Sequence, residues 1–256
     1  MKSLGKPFAG IVGALLLGLA TGASAQETPD VSKEDLHVYL LIGQSNMAGR
    51  APFSEEEAKE IPRSYLLNGE DEWEPAKNPL NRYSTIRKGL GMQKLNPGYS
   101  FTKKMLEVNP KATIGLVVNA KGGSKIEEWG ADKKFYKEII RRAKEAEKTG
   151  TLKGILWHQG ESNVGREDKY LDQLKDLVKN LRKDLDAPDL PFVAGEISVI
   201  EKKMNGEIGK LPKAIAATGV ASSKGLKTYD RWHFDAESAK KLGERYAEVM
   251  TELLKN

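Results

Sequence analysis

Four short apolar runs dominate this chain: His37–Ile42, Thr113–Asn119, Leu152–His158 and Pro191–Ile197. Each is apolar through its middle rather than alternating, and each is bounded by Gly, Pro or polar residues. That is the pattern of a strand buried on both faces. A weaker fifth candidate lies around Val220–Ser222. Between the runs the apolar spacing turns helical, at Phe135, Ile139, Ile140 and Ala143 and again at Tyr170, Leu174, Leu177, Val178 and Leu181. A last helix is predicted to start near Asp235, a good N-cap, and to bury Leu242, Tyr246, Val249, Met250 and Leu253. Strands alternating with helices predict a three-layer α/β/α sandwich around a central, mostly parallel, five-stranded sheet.

Two stretches stand apart from this rhythm. Lys2 and Lys6 precede an apolar run from Phe8 to Ala20, and Ala23-Ser24-Ala25 is a small-x-small cleavage signal. The run is too short for a stop-transfer helix, so residues 1–25 are expected to be a signal peptide cut after Ala25. That leaves residues 26–256 as one secreted or periplasmic domain, without membrane insertion after cleavage. The second stretch is 51–97, where Pro52, Pro62, Pro75, Pro79 and Pro97 punctuate a polar segment. It is too long for an idle connection, and is read as a cleft-forming excursion in preference to a loose surface loop.

The net charge of +5 falls by the two leader lysines, and acids and bases are interspersed. No concentrated basic patch points to nucleic acid. The pairs Lys133-Lys134, Arg141-Arg142 and Lys202-Lys203 read as solvated faces. With no cysteine, neither disulfides nor thiolate chemistry is available. Nothing in the string sets an oligomeric state.

The first run ends in Gly43-Gln44-Ser45-Asn46-Met47-Ala48-Gly49-Arg50. A strand that stops at a turn carrying a serine lifts a hydroxyl into the crevice at the strand's C-terminal end. Serine needs a base, an acid to orient that base, and donors for an oxyanion. Of three histidines, His37 begins a strand and reads as structural, and His158 has no orienting carboxylate before it. His233 follows Asp230 by three residues just before the last helix, so a turn can put both side chains on one side. Two further strand-ending turns supply candidate donors. Gly122-Gly123 lets a backbone amide approach a ligand, and Gln159 offers a side-chain amide. Glu161 either polarises the site or caps a helix. The aromatics Trp73, Tyr83, Tyr99, Trp129 and Trp232 read for the most part as core or loop packing, with Trp129 and Trp232 the best cleft candidates and Gln44 a further substrate contact.

These blocks resemble those of the SGNH hydrolases, in the sialate O-acetylesterase-like group that includes family six acetylxylan esterases. The carriers are Gly43 to Arg50, Gly122-Gly123-Ser124-x-Ile126-x-x-Trp129, Trp157 to Ser162, Pro191 to Glu196, and Asp230-x-x-His233-Phe234. The resemblance implies Ser45 as nucleophile, His233 as base and Asp230 as orienting acid. It implies an oxyanion hole from Ser45, Gly123 and Gln159, and an auxiliary acid at Glu161. It also implies an acetylated poly- or oligosaccharide substrate and no metal or organic cofactor. The family's second block usually carries Thr-Ser after its glycines, whereas this chain has Ser124-Lys125, which puts a cation near the expected cleft. A broader short-chain esterase or lipase of the same fold, and a non-catalytic carbohydrate-binding module, stay open as alternatives.

Overall fold

The computed structural model describes residues 1–2 and 29–255. The expected leader therefore lies, apart from Met1 and Lys2, outside the described residues. The strands are β1 (Leu36–Gly43), β2 (Ser64–Leu67), β3 (Trp73–Pro75), β4 (Thr113–Ala120), β5 (Thr151–His158), β6 (Phe192–Gly195) and β7 (Thr218–Ala221). They form one seven-stranded sheet in the order β3-β2-β4-β1-β5-β6-β7. Every pairing is parallel except β2 with β3.

The five predicted strands are the five contiguous ones, β4-β1-β5-β6-β7, and the sheet has two more than expected. Both extra strands come from the 51–97 excursion, which is ordered and widens the sheet at one edge. They have only four and three residues, and the second ends in Pro75, whose missing N–H is tolerated at an edge. Neither contains the long apolar run by which buried strands are recognised, and so neither stood out.

Alternate residues of β1 enter two cores. Leu36, Val38, Leu40 and Ile42 pack with Ile139 and Ala143 of α3 (Lys134–Ala146) and with Leu174, Val178 and Leu181 of α4 (Tyr170–Asp184). Tyr39 and Leu41 face Phe101 and Met105 of α2 (Gly98–Val108) and Leu242, Tyr246 and Met250 of a long C-terminal helix. Burying one such Leu or Phe side chain contributes roughly 1.5–3 kcal/mol, so this sandwich supplies the rigidity the rim needs. The C-terminal helix spans Ala236–Leu253, and the Asp235 carboxylate accepts from the Ser238 N–H at 2.8 Å, capping it as predicted. Replacing that cap with Ala costs about 1 kcal/mol.

One predicted solvated face is half wrong. Arg141 is exposed, but Arg142 is fully buried. Its guanidinium donates to the Leu67 carbonyl at 2.7 Å and to the Tyr83 carbonyl at 3.0 Å, tying the excursion to α3. Burial lowers its pKa to about 10, with the charge still in place at neutral pH.

Register sets the site. Gly43 lies opposite Ala120 on one side and His158 on the other, so β1, β4 and β5 all end at one level. The turns that follow them open on the same rim. Gly43 has φ of 132°, and a Cβ there would collide with the His158 backbone. Only glycine lets the nucleophile-bearing turn start so close to its neighbour.

Candidate active site

Ser45 opens a single helical turn, α1 (Ser45–Ala48), directly after β1. The turn is held from both sides, since Gln44 N–H donates to the His158 carbonyl at 2.8 Å and Lys121 N–H to the Gly43 carbonyl at 2.9 Å. As a first-turn residue, Ser45 has an amide with no acceptor inside its own helix.

The loop before the C-terminal helix brings the base to this serine. Thr228 and Phe234 bridge in antiparallel fashion, and Tyr229 N–H donates to the His233 carbonyl at 3.0 Å, which closes the loop. Asp230 Oδ1 accepts the Trp232 and His233 amides at 2.7 Å each. Its Oδ2 lies 2.7 Å from His233 Nδ1, and His233 Nε2 lies 3.0 Å from Ser45 Oγ. Because the carboxylate accepts from Nδ1–H, Nε2 is left with its lone pair toward the serine hydroxyl. The Tyr229 ring stacks on the imidazole with centroids 5.8 Å apart. Burial by itself pushes the Asp230 carboxyl upward. The hydrogen bonds from the His233 ring and the two amides outweigh it and hold the acid below its ordinary value. A hydroxyl, an imidazole and an ionised carboxylate in line are equipped to attack an ester carbonyl and return a proton to its leaving group.

Ser45 and His233 line an open cleft of about 360 Å³ together with Gln44, Arg50, Lys88, Gly122, Gly123 and Trp232, and Asp230 stands on the other side of the imidazole. Gly123 stands exposed at φ 73° in the turn closed by Ser124 N–H on the Lys121 carbonyl, at 3.2 Å. That positive φ at the third turn position is what a type II turn requires. Gly123 therefore reaches the cleft, as expected for a backbone donor.

Other predicted residues sit elsewhere. Gln159 is fully buried, and its Nε2 faces Gln44 Oε1 at 3.1 Å, the Ser124 carbonyl at 3.1 Å and Asn163 Oδ1 at 2.7 Å. Two amide hydrogens already have three acceptors, so none is left for an oxyanion. Gln159 ties the three turns together instead. Gln44 takes the position expected of it, in the cleft lining. Its Oε1 accepts from Gln159 and from the Ser162 N–H at 3.2 Å, which leaves Nε2 as the atom free for the cleft.

Trp129 is only 1% exposed, packed edge-on against Trp157 and donating to Ser124 Oγ at 3.1 Å. It is core, and the expected sugar contact at Trp129 is not there. Trp232 does line the cleft, with Arg231 over its ring at 4.4 Å. Trp73 and Tyr99 are buried, as the duller reading of the aromatics had it. Lys125 is exposed and outside the cleft lining, and the cations that reach it are Arg50 and Lys88. Arg50 donates to the Gly49 carbonyl at 2.6 Å and the Met92 carbonyl at 3.0 Å, and burial holds its pKa below the ordinary value. Lys88 and Met92 come from the 51–97 excursion, so that segment helps to form the cleft.

Sequence reading passed over two residues. Asn163 is buried, accepts from Ile126 N–H at 3.0 Å and donates to Glu127 at 3.0 Å. Asn46, next to Ser45, reaches across to the loop that carries His233. Asn46 was visible in the first block, but nothing in a string distinguishes a buried crosslinking amide from a turn former.

A family model described as carbohydrate esterase, sialic acid-specific acetylesterase, matches residues 35–252. A protein named as a probable carbohydrate esterase in Arabidopsis thaliana is 32% identical over 233 residues, spanning 80% of this chain and 86% of its own length. The crystal structure of that Arabidopsis protein superimposes with a TM-score of 0.77 at 28% identity, over 84% of this chain and 98% of the other. NanS follows at 0.68 and 15% identity, over 88% and 99%. A carbohydrate acetylesterase from Xanthomonas citri follows at 0.65 and 19%, over 85% and 56%. At such low identities the last two speak to the fold alone.

Proposed function

This chain belongs to the carbohydrate esterase family described as sialic acid-specific acetylesterases, of the SGNH type, and we propose that it removes O-acetyl groups from sugar hydroxyls through an acetyl-enzyme on Ser45. In this reading His233 Nε2 takes the Ser45 proton as the hydroxyl attacks the ester carbonyl. Asp230 keeps the tautomer and stabilises the imidazolium that forms. The same imidazole protonates the departing sugar oxygen and then activates a water for deacylation. The developing oxyanion is held by the Ser45 and Gly123 amides, with Gln44 Nε2 as the side-chain donor in place of Gln159. The observation that carries the reading is the continuous contact from Asp230 through His233 to Ser45, at 2.7 and 3.0 Å.

Among acetylated glycans, one bearing a carboxylate fits better than neutral xylan. Arg50 and Lys88 bring two cations to the cleft, against Glu161, the one carboxylate among the described residues that line it. A lipase of the same fold is disfavoured because, among the described residues lining the cleft, only Met92 and Trp232 have apolar side chains, too few to hold a long acyl chain. A binding module would not need an imidazole in line with a serine. The Lys2-Lys6 and Ala23-Ser24-Ala25 signals support export of the domain.

The test is acetate release from a panel of O-acetylated sialosides and xylo-oligosaccharides, comparing residues 26–256 with their Ser45→Ala variant. The reading expects release that Ser45→Ala abolishes, faster on the acidic sugars. Binding of glycans without acetate release would favour the module instead, and faster hydrolysis of octanoyl than acetyl esters would favour the lipase.

A further inference from the structure

We infer that Asn46 is a positioning residue that locks His233 over Ser45, and that Glu161 acts through Asn46 rather than as an acid toward substrate. The inference rests on the esterase reading. It adds a member to the machinery that the three reacting groups do not explain, since Asp230 and His233 belong to the same short loop and cannot anchor each other to the sheet.

Asn46 supplies that anchor. Its side chain is buried in the one-turn helix that opens at Ser45, one position past the nucleophile. The Oδ1 accepts the Phe234 N–H at 3.2 Å, and the Nδ2 donates to the Trp232 carbonyl at 3.0 Å. These two partners flank His233 on either side in the chain. The Phe234 N–H can only donate, which fixes the amide orientation without appeal to convention. The second Nδ2 hydrogen goes to Glu161 Oε1 at 2.7 Å. Two of the three hydrogen bonds of this one amide hold the histidine's backbone to the serine's own turn, and the third holds Glu161. A loop whose Tyr229, Asp230 and Arg231 are exposed is held in place by a buried grip.

Glu161 is built to serve that grip. Its side chain is 3% exposed, and Oε2 is shut off from solvent without a partner among the described residues. Behind it, His158 Nε2 faces Oε1 at 3.6 Å, while His158 Nδ1 meets the Tyr246 hydroxyl at 3.0 Å. That hydroxyl donates its one hydrogen to the Trp157 carbonyl at 2.7 Å, so Nδ1 is the donor and Nε2 the face turned to Glu161. Oε1 is committed to Asn46 with the fully buried His158 ring behind it, and Oε2 is closed off from solvent, so neither oxygen is open to a leaving group. Misplacing a general base by about 1 Å can cost about a hundredfold in rate, so loss of the grip should be read in kcat and not in substrate binding.

The experiment compares Asn46→Ala, Glu161→Gln, Glu161→Ala and the double alanine variant in residues 26–256, with wild type and Ser45→Ala as bracketing controls on 4-nitrophenyl acetate. Asn46→Ala is expected to lower kcat by about 10- to 100-fold with KM changed less than about threefold. Glu161→Gln keeps a carbonyl for Asn46 and should hold kcat within about threefold of wild type, whereas Glu161→Ala should fall toward Asn46→Ala. The double variant should be no worse than the worse single, because both remove one grip. The low-field NMR proton shared by His233 and Asp230 should broaden or move in Asn46→Ala and Glu161→Ala and stay sharp in Glu161→Gln. Wild-type kcat and an unmoved resonance in Asn46→Ala would overturn the inference. So would Glu161→Gln losing activity as fully as Glu161→Ala, which would return Glu161 to acid chemistry. An inactive wild type would count against the esterase reading only, because the resonance still reports on the grip. If Asn46→Ala does not fold, Glu161→Ala against Glu161→Gln carries the same contrast.

Discussion

His233 and His158 each stand three residues from a carboxylate, Asp230 before the first and Glu161 after the second. In the fold the resemblance ends at the spacing. The His233 side chain keeps 20% of its surface open, and its two nitrogens sit 2.7 Å from Asp230 and 3.0 Å from Ser45. His158 has no exposed surface, lies 3.6 Å from Glu161, and gives its Nδ1 to Tyr246. Sequence separation brings an acid and an imidazole within reach of each other. What the ring can then do depends on whether its other nitrogen opens on a cleft or on the packing behind it. The glutamines repeat the contrast one layer over, with Gln44 at the cleft lining and Gln159 walled in by three acceptors.

Deleting each imidazole in turn should separate the two histidines most widely. His233→Ala should lower kcat on acetyl esters by about 10⁴-fold or more, in line with the loss of a working base from a serine triad. A His233→Ala enzyme within tenfold of wild type would undo the assignment. Asp230→Asn should come next, with a loss of up to about 10⁴-fold in kcat and little change in KM, because an amide favours the wrong imidazole tautomer.

The two glutamines separate at a smaller scale. Gln44→Ala should slow turnover by about a hundredfold, the effect of losing one oxyanion donor. Gln159→Ala should act first on the melting temperature, since it leaves the Ser124 carbonyl and Asn163 without their shared donor. Equal kinetic losses in both, with no difference in melting, would erase the distinction between rim and interior. His158→Phe should then leave kcat within about tenfold while lowering unfolding stability by about 1–3 kcal/mol, measured by urea titration. The smallest effect is on acid stability. With the Asp230 pKa held below its unfolded value of about 3.9, its stabilisation is complete above that pH and disappears as pH falls through the lower folded value. The stability gap between wild type and Asp230→Asn should therefore be flat above about pH 5 and shrink only below about pH 4. A gap that closes near neutrality would contradict the sign.

Much of this was open to reading because buried parallel strands leave uninterrupted apolar runs. β1, β4 and β5 were recognisable for that reason, and Ser45, Gly123 and Gln159 were placed correctly at the turns after them. Asp230 and His233 were legible because three residues of one loop bring them together. Whatever depends on depth was not legible. Trp129 and Trp232 are the same side chain in a string, yet one packs against Trp157 and the other lines the cleft. The charged pair Arg141-Arg142 reads in a string as one solvated face, although a helix turns neighbours onto different faces and Arg142 is buried. β2 and β3 escaped because edge strands of three or four residues bury too little apolar surface to leave a pattern. Lys88 leaves no mark in the string because nothing local says which loop reaches the cleft, whereas Lys125 follows the glycines yet lies outside the lining.

The most direct measurement is a rapid quench of residues 26–256 with excess 4-nitrophenyl acetate, followed by peptide mass spectrometry. One acetyl group is expected on the peptide that contains Ser45, accumulating further in Asp230→Asn if deacylation is the step more impaired, and absent from Ser45→Ala. Acetate release that proceeds undiminished in Ser45→Ala, or an acetyl group found on any other residue of the wild-type chain during turnover, would contradict it.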